Sequence, residues 1–132
     1  MIFVNTKAFA SVVKNVLNKS DCKCDLIDGS TPPEIRDKII TKFRAGEMRV
    51  LVTTSMLARG LDVPDVQIVI NFDVPSIRTQ QNVQKGDSET YLHRIGRTGR
   101  FGARGVAINL YDRPEDKKFL DQILEEYSLN CE

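Results

Sequence analysis

Short apolar segments alternate with helical patterns along the whole chain, and this alternation limits the fold more than any other feature. The apolar segments are residues 2–4, 25–28, 50–52, 66–72 and 106–110. Apolar residues at helical spacing follow at 9–17, 35–43 and 119–127, and shorter helices are expected after Ser55 and around Tyr91. Such a chain predicts one α/β domain, with a mostly parallel central sheet flanked by helices.

Length and composition fit a single globular domain. The chain has 132 residues, 41% apolar and 28% charged, which is enough for one core. No segment approaches the roughly 18 apolar residues of a membrane span, and no signal peptide precedes the first strand, so an intracellular chain is expected. Cys22, Cys24 and Cys131 follow neither a zinc nor a redox spacing, which favours reduced structural thiols.

Positive charge is concentrated in one segment. The net charge is only +1, yet residues 93–104 hold four arginines, one histidine and no acidic residue. Arg94, Arg97 and Arg100 recur every three residues, so a helical turn would present them on adjoining faces. Gly96 and Gly99 leave room for a ligand, and guanidinium groups bind phosphate in a bidentate way. The pattern favours an anion site over the alternative, a solvated basic face.

A second polar segment, residues 53–62, follows the third apolar strand and therefore lies at the carboxyl end of the sheet, where open α/β folds bind ligands. Hydroxyls and backbone amides at a helix start can hold phosphate, and Asp62 could accept hydrogen bonds from ribose. Taken alone, the segment fits a capped helix start equally well. Residues 76–89 are polar and predict a long loop, either a functional insertion or a mobile one.

Four motifs together resemble the C-terminal RecA-like domain of DEAD-box RNA helicases, end to end. They are FVNT at 3–6, FRAG at 43–46, ARGLD at 58–62 and HRIGRTGR at 93–100. The resemblance implies a three-layer RecA-like fold over residues 1–132, part of a two-domain helicase. The polar insertion at 76–89 and the GDSETYLHR that ends it resemble the subgroup that exports mRNA at the cytoplasmic face of the nuclear pore.

The resemblance also implies roles in ATP hydrolysis. Arg97 and Arg100 would reach the γ-phosphate of ATP, with Arg100 as the arginine finger. Asp62 would bind the ATP ribose, and Gly60 would lie beside it. Neither a GxxxxGK[ST] phosphate loop nor a DEAD tetrapeptide occurs in the chain, so the N-terminal RecA-like domain is expected to hold ATP with Mg²⁺. This domain alone is therefore expected to be inactive.

Contacts with RNA and with the other domain are implied in the same way. Gly29, Arg36 and Thr54 would touch the RNA backbone without reading its sequence. The family often has glutamine where this chain has Pro33, which removes the usual partner of Arg36. His93 and Arg94 would support the contact between the two RecA-like domains.

The expected partners are RNA, the N-terminal domain and nucleoporins or export regulators, for a monomer in cytoplasm and nucleus without membrane insertion. One alternative is a non-catalytic module of the same fold that docks RNA or protein. Another is a DNA-directed superfamily 2 enzyme such as a chromatin remodeller, although its arginine motif usually differs from HRIGRTGR.

Overall fold

The computed structural model describes residues 1–54 and 65–132. In chain order its elements are β1 (Ile2–Val4), α1 (Lys7–Lys19), β2 (Cys24–Ile27), α2 (Pro33–Arg44), β3 (Val50–Thr54), β4 (Ile68–Asn71), β5 (Ser76–Arg78), β6 (Gln84–Gly86), α3 (Ser88–Ile95), β7 (Val106–Asn109) and α4 (Pro114–Glu126). The short helix expected after Ser55 lies outside the described residues.

The central sheet contains five strands in the order β2-β3-β1-β4-β7, and every neighbouring pair is parallel. The α/β fold with a mostly parallel sheet is therefore confirmed. Its fourth strand is shorter than the apolar run at 66–72 suggests, because Val66 pairs only in an isolated bridge with Thr98. The carboxyl ends of all five strands meet at one edge of the sheet, here called the carboxyl edge.

Side chains that alternate along the strands build a core on each face of the sheet. The core under α1 comprises Ile2, Val4, Ala10, Val13, Cys24 and Val52. The core under α2 comprises Ile27, Ile39, Ile40, Met48 and Leu51. The apolar stripe expected on α1 is only partly buried, since Phe9, Val12 and Val16 each remain more than half exposed.

The polar segment 76–89 forms a β-hairpin and the start of α3, which corrects the expected loop. Strands β5 and β6 are antiparallel, and the Thr79 amide donates to the Val83 carbonyl at 2.8 Å to close the turn. Asn82 adopts a φ of 60° in that turn, a left-handed conformation that asparagine tolerates better than most residues. The hairpin is therefore stabilised by backbone pairing and by the turn conformation of Asn82, although its strands have little apolar content.

The base of the hairpin packs on α4. Gly86 is buried, and a Cβ at this position would lie 2.8 Å from both Ile123 Cγ1 and the Phe119 carbonyl oxygen. The Ser88 hydroxyl also donates to Glu126 of α4. Only glycine therefore fits between the hairpin and the helix, which fixes where α3 begins.

Candidate nucleotide and RNA site

Arg94 is the most buried charged side chain in the described residues, with no exposed surface. Its Nη2 donates to Asn5 Oδ1 at 2.8 Å, and its Nη1 donates to the Asp73 carbonyl at 2.9 Å. The Asp73 carboxylate lies 3.7 Å from Nη1, and the guanidinium stacks over the Phe3 ring at 5.5 Å. These contacts fasten α3 to β1 and to the segment that follows β4.

A chain of amides extends from Arg94 to the edge strand. Arg94 Nη1 lies 3.4 Å from Asn71 Oδ1, Asn71 Nδ2 donates to Asn109 Oδ1 at 2.8 Å, and Asn109 Nδ2 donates to the Tyr91 hydroxyl oxygen at 3.0 Å. Because a guanidinium only donates, the orientation of each amide follows from that of Arg94. Tyr91 and Arg94, three residues apart on α3, thus give the helix two anchors on the sheet.

Burial also shifts the ionisation of this pair. Burial lowers the pKa of the Arg94 guanidinium to about 10, and attraction to Asp73 offsets part of that shift. Burial raises the pKa of the Asp73 carboxyl, although a hydrogen bond from the Asn5 amide and the charge of Arg94 act in the opposite direction. Desolvation is the largest cause of the pKa shift for both groups.

Arg97 and Arg100 do not continue α3, which corrects the expected helical turn. The helix ends at Ile95 with Gly96 as its C-cap, and both arginines follow in a turn. Gly99 has a φ of 69° and Phe101 a φ of 55°, so the turn uses left-handed residues on both sides of Arg100. The three arginines therefore have separate roles, Arg94 inside the domain and the other two beyond the helix.

The turn lies beside the residues that precede β4. The Val66 amide donates to the Arg97 carbonyl at 2.9 Å, and Arg100 Nη1 lies 3.2 Å from Asp65 Oδ1. The Arg100 side chain is 47% exposed and stacks over the Phe101 ring at 5.4 Å. Arg100 is thus accessible and held by one exposed carboxylate that an incoming phosphate could replace.

His93 lies on α3 next to Arg94 and is partly buried. Its Nδ1 is shielded from solvent and has no hydrogen-bond partner among residues 1–54 and 65–132. Arg94 makes its contacts inside the domain, so any support that it gives to a second domain is indirect.

Gly29 lies in an exposed turn at the carboxyl edge, built around the buried Asp28. Asp28 Oδ1 accepts from the Ser30 amide at 2.7 Å and from its hydroxyl at 2.6 Å, and the Thr31 hydroxyl accepts from the Asp28 amide at 3.0 Å. The Ser30 hydrogen bonds lower the pKa of the Asp28 carboxyl, and Lys7 at 3.7 Å adds to this effect. The turn is therefore rigid before any ligand binds.

Arg36 and Thr54 lie near this turn. Arg36 Nη2 is 3.4 Å from the Thr31 carbonyl, which links α2 to the turn that carries Gly29. Thr54 ends β3, the neighbour of β2, and is only 7% exposed. The structure thus gathers the three candidate RNA residues at the carboxyl edge, whereas Arg97 contacts the opposite, amino-terminal side of β4. Gly60 and Asp62 lie outside the described residues.

Sequence reasoning missed the polar network around Arg94. Its members share one position, at or just beyond the carboxyl end of an apolar strand; they are Asn5, Asn71, Asp73 and Asn109. That shared position could have predicted the network, because parallel strands bring their carboxyl ends together.

The described residues contain no group of three His, Cys, Asp or Glu side chains that could hold a metal ion. Among their helices, none is both long and apolar enough to span a bilayer.

Comparison with known proteins gives consistent matches. The helicase conserved C-terminal domain family matches residues 1–102. The ATP-dependent RNA helicase dbp5 of Aspergillus fumigatus is 43% identical over 134 residues, which cover 100% of this chain and 27% of that protein. Human DDX19A, also an ATP-dependent RNA helicase, is 43% identical over 132 residues with the same coverage. The chain thus spans about a quarter of the length of these curated relatives.

Solved structures agree. The C-terminal domain of the DEAD-box protein Dbp5 superposes with a TM-score of 0.86 at 39% identity, covering 96% of this chain and 68% of that one. Saccharomyces cerevisiae Dbp5 bound to RNA and ADP BeF₃ gives 0.86 at 38% identity, covering 98% and 32%. A variant of that protein bound to Nup159, Gle1, IP6 and ADP gives 0.83 at 35% identity, also covering 98% and 32%.

The chain therefore belongs to the helicase conserved C-terminal domain family. Its sequence and fold are those of the second RecA-like domain of DEAD-box RNA helicases, and it resembles the Dbp5 and DDX19 proteins over its full length. The family resemblance and the RecA-like fold expected from the sequence are both confirmed.

Proposed function

We propose that this domain is the second half of an ATP-dependent RNA helicase and supplies the arginine finger for ATP hydrolysis. The observation that carries the proposal is the turn after α3, where Arg97 and Arg100 leave the helix and the Arg100 side chain remains about half exposed. A permanently charged, forked group in that position suits a γ-phosphate presented by another domain.

In this mechanism the N-terminal RecA-like domain would hold ATP with Mg²⁺, as the family resemblance implies. When the two domains close, Arg100 leaves Asp65 and approaches the γ-phosphate, and Arg97 supports it. The guanidinium groups stabilise the charge that develops on the transferred phosphoryl, an effect worth roughly 10³–10⁵ in rate for fingers of this kind. Gly60 and Asp62 would contact the nucleotide, as the family resemblance implies.

His93 and Arg94 would contribute to the contact between the two RecA-like domains. His93 lies on α3 and is partly buried, and the family resemblance implies that it supports the contact between the two domains. Arg94 contributes indirectly, by fixing the helix on which His93 lies.

The carboxyl edge would bind the RNA backbone. The rigid turn at Gly29 offers backbone groups, Arg36 offers a guanidinium for a phosphate, and Thr54 offers a hydroxyl. Thr54 is nearly buried in this chain, so its contact requires a small opening beside β3. Backbone contacts of this type give affinity that depends on salt but not on sequence.

The wider role is proposed from the relatives. Because S. cerevisiae Dbp5 is found with RNA, Nup159, Gle1 and IP6, we propose that the protein containing this domain remodels RNA–protein complexes during mRNA export, with nucleoporins and export regulators as partners. It would then act in cytoplasm and nucleus, at the nuclear pore.

The test is RNA-stimulated ATP hydrolysis by this domain, alone and after fusion to a DEAD-motif N-terminal domain from the same source. The domain alone should be silent, and the fusion should hydrolyse ATP when RNA is added. A silent fusion whose N-terminal half is folded and binds ATP would favour the alternative, a docking module without an ATP cycle.

A further inference from the structure

The Thr98 hydroxyl is one of the contacts that attach the turn carrying Arg97 and Arg100 to the residues before β4. Thr98 Oγ1 lies 2.5 Å from the Val66 carbonyl oxygen and 2.9 Å from the Gln67 carbonyl oxygen. The Val66 amide donates in return to the Arg97 carbonyl at 2.9 Å. The side-chain bonds thus add to an isolated backbone bridge that pairs Val66 with Thr98.

Gly105 makes this attachment sterically possible. A Cβ at position 105 would overlap the Thr98 hydroxyl and the Gly99 amide nitrogen, and would lie 2.9 Å from Gly99 Cα. The next residue, Val106, donates its amide to the Gln67 carbonyl at 3.0 Å, so the returning chain passes directly beside the turn. The Thr98 hydroxyl thus lies between two segments of the chain, and Thr98 is partly buried there.

Thr98 stands between the two arginines, one residue after Arg97 and two before Arg100. The α-helix has already ended at Ile95, and two backbone bonds link the turn to it, from the Arg97 amide to the Arg94 carbonyl at 3.3 Å and from the Thr98 amide to the Ile95 carbonyl at 3.1 Å. A displacement of about 1 Å in a positioned group can cost about 100-fold in rate. The attachment at Thr98 is therefore placed to influence the position of both guanidinium groups.

We propose that Thr98 is a positioning residue for the arginine finger, acting through its hydroxyl on the Val66 and Gln67 carbonyls. This inference rests on the proposed function, because it requires Arg97 and Arg100 to act on a phosphate. Thr98 itself touches no substrate in this mechanism.

Substitution of Thr98 by valine gives the sharpest test. Valine has the same shape, but its methyl group needs about 3.3 Å from a carbonyl oxygen, so the turn must move by roughly half an ångström or more. Serine keeps the hydroxyl. In the two-domain protein with saturating RNA, Thr98→Val should lower kcat for ATP by about 10- to 100-fold, with KM for ATP and RNA affinity within about twofold. Thr98→Ser should retain at least about a third of the wild-type kcat.

A matched control is Thr41→Val, which removes a hydroxyl that donates to the Asp37 carbonyl at 2.8 Å on the exposed side of α2. It should leave kcat unchanged. If Thr98→Val does not fold, Thr98→Ala removes the hydroxyl without adding bulk, and a kcat at least about fivefold below wild type is expected.

The outcomes separate this inference from the function on which it rests. Wild-type kcat in Thr98→Val or Thr98→Ala, together with an inactive Arg100→Ala, would overturn the role of Thr98 and leave the finger intact. A lower kcat together with a similar fold-change in KM and a lower melting temperature would also overturn it, since that combination indicates a merely structural role. Full activity of Arg100→Ala would instead overturn the proposed function itself.

Discussion

Replacement of Arg94 by lysine should destabilise the domain even though the positive charge is kept. The guanidinium serves Asn5 at 2.8 Å and the Asp73 carbonyl at 2.9 Å with two separate nitrogens. A lysine ammonium is a single point of donation and cannot reach both acceptors in that geometry. Loss of one such charge-assisted bond, with its acceptor left buried, should lower the free energy of unfolding by about 2–3 kcal/mol.

Arg94→Met should cost more, about 3–5 kcal/mol, because it leaves Asp73 partly buried without its cation. Urea unfolding of the 132-residue domain, followed by circular dichroism, measures both changes through the midpoint and the slope. Arg104→Lys, the same substitution at an exposed arginine, serves as control and should change stability by less than about 0.5 kcal/mol. An Arg94→Lys domain as stable as that control would refute the importance of the forked geometry.

Two other predictions concern the carboxyl edge and the hairpin. Folding lowers the pKa of the Asp28 carboxyl, so the ionised side chain stabilises the folded domain by about 1 kcal/mol. This stabilisation is fully present above the unfolded pKa near 3.9 and is lost as the pH falls through the lower folded pKa. The stability gap between wild type and Asp28→Asn should therefore shrink in acid unfolding titrations, and a gap that stays constant with pH would contradict this. Gly86→Ala should destabilise by about 1–3 kcal/mol in urea, because its Cβ meets Ile123 at 2.8 Å, and exposed Lys85→Ala should be neutral.

Hydrophobic periodicity was sufficient to predict the sheet. The apolar runs at 2–4 and 50–52 correspond to β1 and β3, because a strand buried between helices has little choice of composition. The run at 106–110 corresponds to β7, although this edge strand is largely exposed. The hairpin escaped prediction because its strands are polar, and its stability comes from backbone pairing and from the contact of Gly86 with α4. That contact joins residues far apart in sequence, and no local pattern reports it.

The candidate site, too, could be predicted only in part from the sequence. The three-residue spacing grouped Arg94, Arg97 and Arg100 together, and the family resemblance gave Arg94 a separate role at the domain contact. Neither shows that the Arg94 side chain turns into the core. The bond between Thr98 and Val66 depends on how the chain returns beside β4, which only the folded structure shows.

The central claim, that Arg100 is the arginine finger, is tested most directly by ATP turnover in the two-domain protein. Arg100→Ala should lower RNA-stimulated kcat by about 10³-fold or more and leave ATP binding intact, measured with a fluorescent nucleotide. Arg104→Ala, in the same turn region and exposed, should behave as wild type. Turnover of Arg100→Ala at the level of Arg104→Ala would contradict the claim.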